Sequence, residues 1–205
     1  MNKQLLVDYI PFEVSPEQIN ESLAKNGKLI VRGVLQRAEA KNHNNRVYPM
    51  KTLQREAAKY SDTQIKERRA LGELDHPESS VVNLGNVSHN VVSMDWKGND
   101  LVGVVEVLST PAGNILKELF KAGIKLGISS RGLGSVKEIH EDNGEDTVQV
   151  QPDFELIAFD FVSNPSTQGA FLSPVNEGTD KSKKIQNNKY AKINSIITDI
   201  IKESK

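Results

Sequence analysis

Residues 125–136, KLGISSRGLGSV, set adjacent serines and an arginine among three glycines, and few folds have room for such a run. It admits three forms: a phosphate-cradling loop, a flexible turn, or a strand that presents a nucleophile. A phosphate loop needs G-x-x-x-x-G-K-[ST] between a strand and a helix, and that pattern is absent. In a strand, alternate side chains face opposite ways. Leu126, Ile128 and Ser130 then share one side, and Gly127, Ser129 and Arg131 the other. The apolar pair turns to the core and takes Ser130 with it. Ser129 is expected to face outward, beside a glycine that leaves room for a substrate.

The rest of the sequence sets the surroundings of that strand. The 205 residues suit one domain with a real core and leave room for an appendage. A net charge of -1 gives no basic surface, so neither nucleic acid nor anionic membrane is expected as a partner. The absence of cysteine removes disulfides, thiol catalysis and thiolate metal sites together. Asp8, Pro11 and Glu13 interrupt the N-terminus before a signal-like apolar core forms, and no run approaches the ~20 apolar residues of a membrane span. A soluble chain is expected.

Residues 28–40 read as a strand followed by a loop. Residues 49–70 read as a helix with Pro49 in its first turn. Residues 81–108 carry strand-like runs on either side of KGND and predict a hairpin. The helix predicted over 109–123 has Thr110 to cap it, Pro111 in the first turn and Gly123 to end it, and it buries Ile115, Leu116, Leu119 and Phe120. After the polar turn at 140–146, residues 148–162 are strand-like again. Residues 1–174 make up the expected folded body. Residues 175–189 have little to bury and read as a linker. Residues 190–205 set Ile193, Ile196, Ile197, Ile200 and Ile201 on one face of an amphipathic helix, which either folds back or docks on a partner or scaffold.

A serine hydroxyl needs a base within hydrogen-bond reach. His43 and His140 lie in polar loop-like segments, and His89 alternates with apolar neighbours as a buried, satisfied imidazole would. His76 is held between Asp75 and Pro77, and the proline restricts the backbone before it. A metal site at Glu73, Asp75, His76 and Glu78 lacks the two-histidine helical spacing of hydrolytic zinc motifs, so no metal or cofactor is expected. Asp160 sits inside an apolar run, and a buried carboxylate requires a partner. Backbone amides, an arginine and His76 are all candidates.

In order along the chain, NHNNRVYPMKTLQREAAKY, LGELDHPESS, MDWKGNDLVGVVEVL and GISSRGLGSV resemble the prohead core proteases of T-even-like tailed phages, over roughly residues 29 to 172. The resemblance implies an α+β fold like that of the herpesvirus assembly proteases, with a β-barrel-like core of mostly antiparallel strands flanked by helices. It implies a serine endopeptidase in which His76 and Ser129 are the catalytic pair, and Asp160 is the residue expected to orient the imidazole. Arg131 and Gly132 are candidates for oxyanion donors through their backbone amides, and Arg131 alternatively for pairing with a substrate glutamate.

The resemblance further implies action inside the immature prohead, in the host cytoplasm. The substrates would be scaffold and major capsid proteins and the chain itself, cut after glutamate with an aliphatic residue two positions earlier. Glu21, Glu67, Glu177 and Glu203 fit that pattern in segments expected to be accessible. Self-association or docking on scaffold is expected through the C-terminal helix. A non-catalytic protease-like assembly module is the alternative. The retention of Ser129, His76 and Asp160 together counts against it.

Overall fold

The structure, a computed structural model, describes residues 3–75, 77, 79–140 and 146–163. These fall within Met1–Gln168, the first of two compact units. The second unit, Gly169–Lys205, lies outside the described residues, as do the expected linker at 175–189 and the expected helix at 190–205.

Among the described residues, ten strands form three sheets. The first is antiparallel and places β7 (Leu126–Gly134) between β1 (Gln4–Phe12) and β10 (Glu155–Val162). The second is also antiparallel, in the order β2 (Ile30–Arg37), β6 (Asp100–Val107), β5 (Val87–Lys97) and β4 (Leu71–Glu73). The third joins β8 (Val136–His140) antiparallel to β9 (Asp146–Val150), with the short β3 (Arg46–Val47) parallel on the other side of β9. Helices α1 (Pro16–Asn26), α2 (Met50–Tyr60) and α3 (Pro111–Lys121) flank them. The expected class, α+β with mostly antiparallel strands, is the one observed.

The first two sheets share a core. Phe12, Ile128, Phe159 and Phe161 from one meet Val31, Leu35, Val91, Leu101 and Val105 from the other. Edge-to-face contacts set Phe161 against Phe12 at 5.1 Å and Phe120 at 5.3 Å, the favoured geometry for ring quadrupoles. A single parallel bridge, Leu74 to Phe161, ties the two sheets along a seam.

The predicted hairpin is β5–β6, turned at Gly98 with φ 58°. Several boundaries differ from expectation. The helix begun at Met50 gives way after Tyr60 to a wider π turn over Ser61–Ile65, where the polar run Ser61-Asp62-Thr63 competes for backbone bonds. The Thr63 hydroxyl, for instance, donates back to the Lys59 carbonyl. Residues 148–162 are two strands, separated by a turn closed by Phe154 N–H on the Gln151 carbonyl. α3 begins at the Thr110 cap as expected, but Ile115 is 56% exposed. The buried stripe is Ala112, Gly113, Leu116 and Phe120, because Gly113 lies so close to the Leu108 carbonyl that a Cβ there would clash. That rotates Ile115 to the flank.

β1 and α1 complete the body where the sequence predicted no element. Ser15 and Gln18 form a reciprocal capping box, with Pro16 in the first turn. Pro11 lies in β1, an edge strand, where a missing N–H costs no ladder bond.

Candidate active site

β7 carries the site, and its two faces have different chemistry. On the core side, Ile128 packs among phenylalanines while Ser130 enters a buried polar network. Ser130 Oγ accepts from Gln36 Nε2 at 2.6 Å. Across the strand, the Asp8 carboxylate accepts from Tyr48, Asn44 and Arg46. Burial is the main cause that pushes the Tyr48 hydroxyl well above its ordinary range, with the Asp8 carboxylate adding to it, so Tyr48 stays a donor. Ser130 is a structural serine.

Ser129 is on the other face, as the two-residue period requires. It is opposed by Tyr9 on β1 and by Asp160 on β10. Its expected exposure is not observed: Ser129 is 0% exposed, and its Oγ has no hydrogen-bond partner among the described residues. The space over Gly127 is likewise filled, by the Tyr9 ring, which would overlap any Cβ placed there. The glycine makes room for that ring rather than for a substrate.

Asp160 has its partners on this face. Arg131 donates to it twice, from Nε to Oδ2 at 2.8 Å and from Nη2 to Oδ1 at 3.2 Å. The Glu73 amide adds a bond to Oδ1 at 3.0 Å. Burial raises the Asp160 carboxyl above its ordinary range, and the Arg131 charge opposes that shift. Two of the three candidate partners, an arginine and a backbone amide, are therefore both engaged, and Oδ2 accepts only one bond from them.

His76 lies outside the described residues, but the chain leading to it does not. The Asp75 amide donates to the Phe161 carbonyl at 2.7 Å, one residue along β10 from Asp160. The other three imidazoles occupy different places. His43 is exposed, 6.4 Å from the Tyr9 ring, and His140 pairs at the surface with Asp146. His89 is fully buried, with Nδ1 at 2.8 Å from Ser88 Oγ and Nε2 at 2.9 Å from the Phe159 carbonyl.

Burial pushes His89 down to about 4. The unfolded imidazole titrates near its ordinary 6.5, so the unfolded chain binds the proton first as the pH falls. Stability is therefore complete above pH 6.5, declines as pH falls toward 4, and levels off below that. The expected loss is on the order of 3 kcal/mol. Denaturant melts at pH 7 and pH 4 should show it, and a His89→Gln chain should show a shallower decline. An equal decline in both would assign the acid sensitivity elsewhere.

The family model for prohead core protein serine proteases matches residues 6–181. The chain belongs to that family. Over 172 residues it is 32% identical to the prohead core protein protease of Enterobacteria phage T4, across 82% of this chain and 78% of that protein. The solved structure of the bacteriophage T4 capsid assembly protease aligns with a TM-score of 0.68 at 29% identity, covering 80% of this chain and 99% of that one. The match starting at residue 6 draws β1 into this prohead core protease, ahead of the residues whose motifs carried the resemblance.

Other expected site residues of the prohead core protease fall as follows. Arg131 and Gly132 lie in the middle of the sheet, between β1 and the point where the β10 register shifts from Leu156 to Ala158. The five N–H groups of Arg131 are all engaged: with Asp160, with Glu73 at 3.0 Å, and with the carbonyls of Ser79 at 2.7 Å and Val81 at 3.4 Å. None is left for a substrate glutamate. Glu73, which the sequence offered only as a metal ligand, is this guanidinium's second carboxylate. Among the cleavage candidates, Glu21 is inside α1 and follows the buried Ile19, so cutting there requires unwinding the helix. Glu67 is exposed in the turn after the π segment. Glu177 and Glu203 lie outside the described residues.

A cavity of about 250 Å³ opens beside Tyr9, the cross-strand neighbour of Ser129, and Gln36, Arg37, Lys41, Asn42 and His43 help to line it. No helix among the described residues is long and apolar enough to cross a membrane.

Proposed function

We propose that this chain is a serine endopeptidase of the immature prohead that cuts scaffold and capsid proteins, and itself, after glutamate. One observation carries the reading: the Ser129 hydroxyl, without a partner among the described residues, sits directly across the strand pair from Asp160, beside the seam where the segment leading to His76 is tied to β10. His76 takes the Ser129 proton as the hydroxyl attacks the glutamate's own carbonyl carbon. The imidazolium then gives that proton to the leaving amine, and water releases the acyl group by the same route. Asp160, with accepting capacity left on Oδ2, holds the ring and favours its cation.

The cavity beside Tyr9, with Lys41 and the Asp100-paired Arg37 in its lining, is the expected seat of an acidic substrate side chain. The isoleucine face of the C-terminal segment is the surface for scaffold. Val175-Asn176-Glu177 is the self-cleavage site at which that segment would be released.

The test is the mass of the purified full chain after incubation, beside that of Ser129→Ala. The wild type is expected to end at Glu177 and the variant to remain at Lys205. A wild-type chain still at Lys205, or shortened only to Glu203, would end the release idea. Identical processing in both chains would end the serine-protease reading.

A further inference from the structure

Arg131 reaches further than a partner for Asp160 needs to. From β7 its guanidinium spans Asp160 on β10, Glu73 at the end of β4, and the carbonyls of Ser79 and Val81. Glu73 Oε1, which it grips, also accepts the Asn83 amide at 3.0 Å. One buried side chain thus holds the backbone on both sides of residues 74–78. The seam at Leu74 and Asp75 fixes where that segment leaves the sheet.

We propose that Arg131 is a positioning residue, which with Glu73 clamps the backbone on either side of residues 74–78 and so orders the segment that carries His76. This rests on the reading of Ser129 and His76 as the reacting pair. Charge alone does not explain the arrangement. A lysine offers three donors on a flexible stem, whereas this site uses five in a planar fork directed at three chain segments. Two carboxylates around one guanidinium also exceed what neutralisation needs. Glu73 Oε2 has no partner among the described residues, so what Glu73 contributes here lies in its other oxygen. Catalytic geometry is sensitive to such support, since misplacing a group by about 1 Å costs on the order of 10²-fold in rate.

The test uses the full chain as wild type, Arg131→Lys and Glu73→Gln. It combines hydrogen exchange followed by mass spectrometry with steady-state cleavage of a peptide containing Ile-x-Glu. In Arg131→Lys, amides of 74–83 should exchange at least about tenfold faster while those of β5 and β6 keep their protection. Its kcat should fall on the order of 10²-fold with KM within about threefold. Glu73→Gln should show the same pattern at roughly a tenth of the size.

Faster exchange throughout the body would make Arg131 a general stabiliser and overturn the proposal. So would a loosened segment with unchanged kcat, or a lowered kcat with the segment still protected. If Arg131→Lys does not fold, Glu73→Gln decides by the same two readings. If the wild type proves as inert as Ser129→Ala, the protease reading has failed, and loosening confined to 74–83 would still report the clamp itself.

Discussion

Replacing Ser129 by alanine is expected to abolish proteolysis, with kcat falling by a factor on the order of 10⁴ to 10⁶. Replacing its neighbour Ser130 should leave a working enzyme. The contrast follows from the two faces of β7. Ser129 Oγ has no bond to lose among the described residues, so its removal is expected to leave the fold intact. Ser130 Oγ accepts from Gln36, and alanine there strands a buried amide donor at a cost of about 1–3 kcal/mol. The expected signature is thus crossed: Ser129→Ala inactive with an unchanged melting temperature, Ser130→Ala active but less stable. Cleavage of a scaffold-derived peptide, measured beside thermal unfolding, checks both halves. Equal loss of activity in two folded variants would remove the assignment of the nucleophile.

His76→Ala should be as inactive as Ser129→Ala, and the double variant no worse than either, because the proposed pair would act as one unit. Asp160→Asn should retain a trace of activity, with a loss on the order of 10⁴ in kcat, since it disturbs orientation without removing the base. It carries a second cost. Arg131 and Glu73 are fully buried beside Asp160, and breaking such an ion pair destabilises by about 3–5 kcal/mol. Activity of Asp160→Asn must therefore be read below its melting transition. Wild-type kcat in folded Asp160→Asn would show that the carboxylate serves only the arginine.

What the sequence made legible, and what it did not, divides along physical lines. The two-residue period of a strand assigned Ser129 and Ser130 to opposite faces, because alternation is local. It said nothing of what covers a face, so the buried state of Ser129 and the Tyr9 ring over Gly127 were not foreseen. The expense of burying Asp160 required a partner, but choosing between an arginine, an amide and a histidine takes three-dimensional neighbours. Arg131 is two residues from Ser129, yet its bonds to Glu73 and Ser79 cross more than fifty residues of chain. β1 went unread for the opposite reason. Asp8 and Pro11 spoil the apolar alternation, and they are tolerated only because buried donors surround one and the sheet edge accommodates the other. The start of α1 was within reach, since Ser15, Pro16 and Gln18 spell a capping box.

β1 and β10 meet on β7, and they come from opposite ends of the described body. Each residue of β1 is paired with one more than a hundred positions later. Contacts of such long sequence separation are slow to form, because the entropy of closing the intervening loop must be overcome first. On a ribosome the opening strand waits without its partner until residue 134 has emerged, and the sheet is complete only when residue 162 follows. No fragment released early can assemble Asp160 opposite Ser129. The order of synthesis is thus itself a safeguard, since the proposed catalytic face cannot form until the chain has been made through β10.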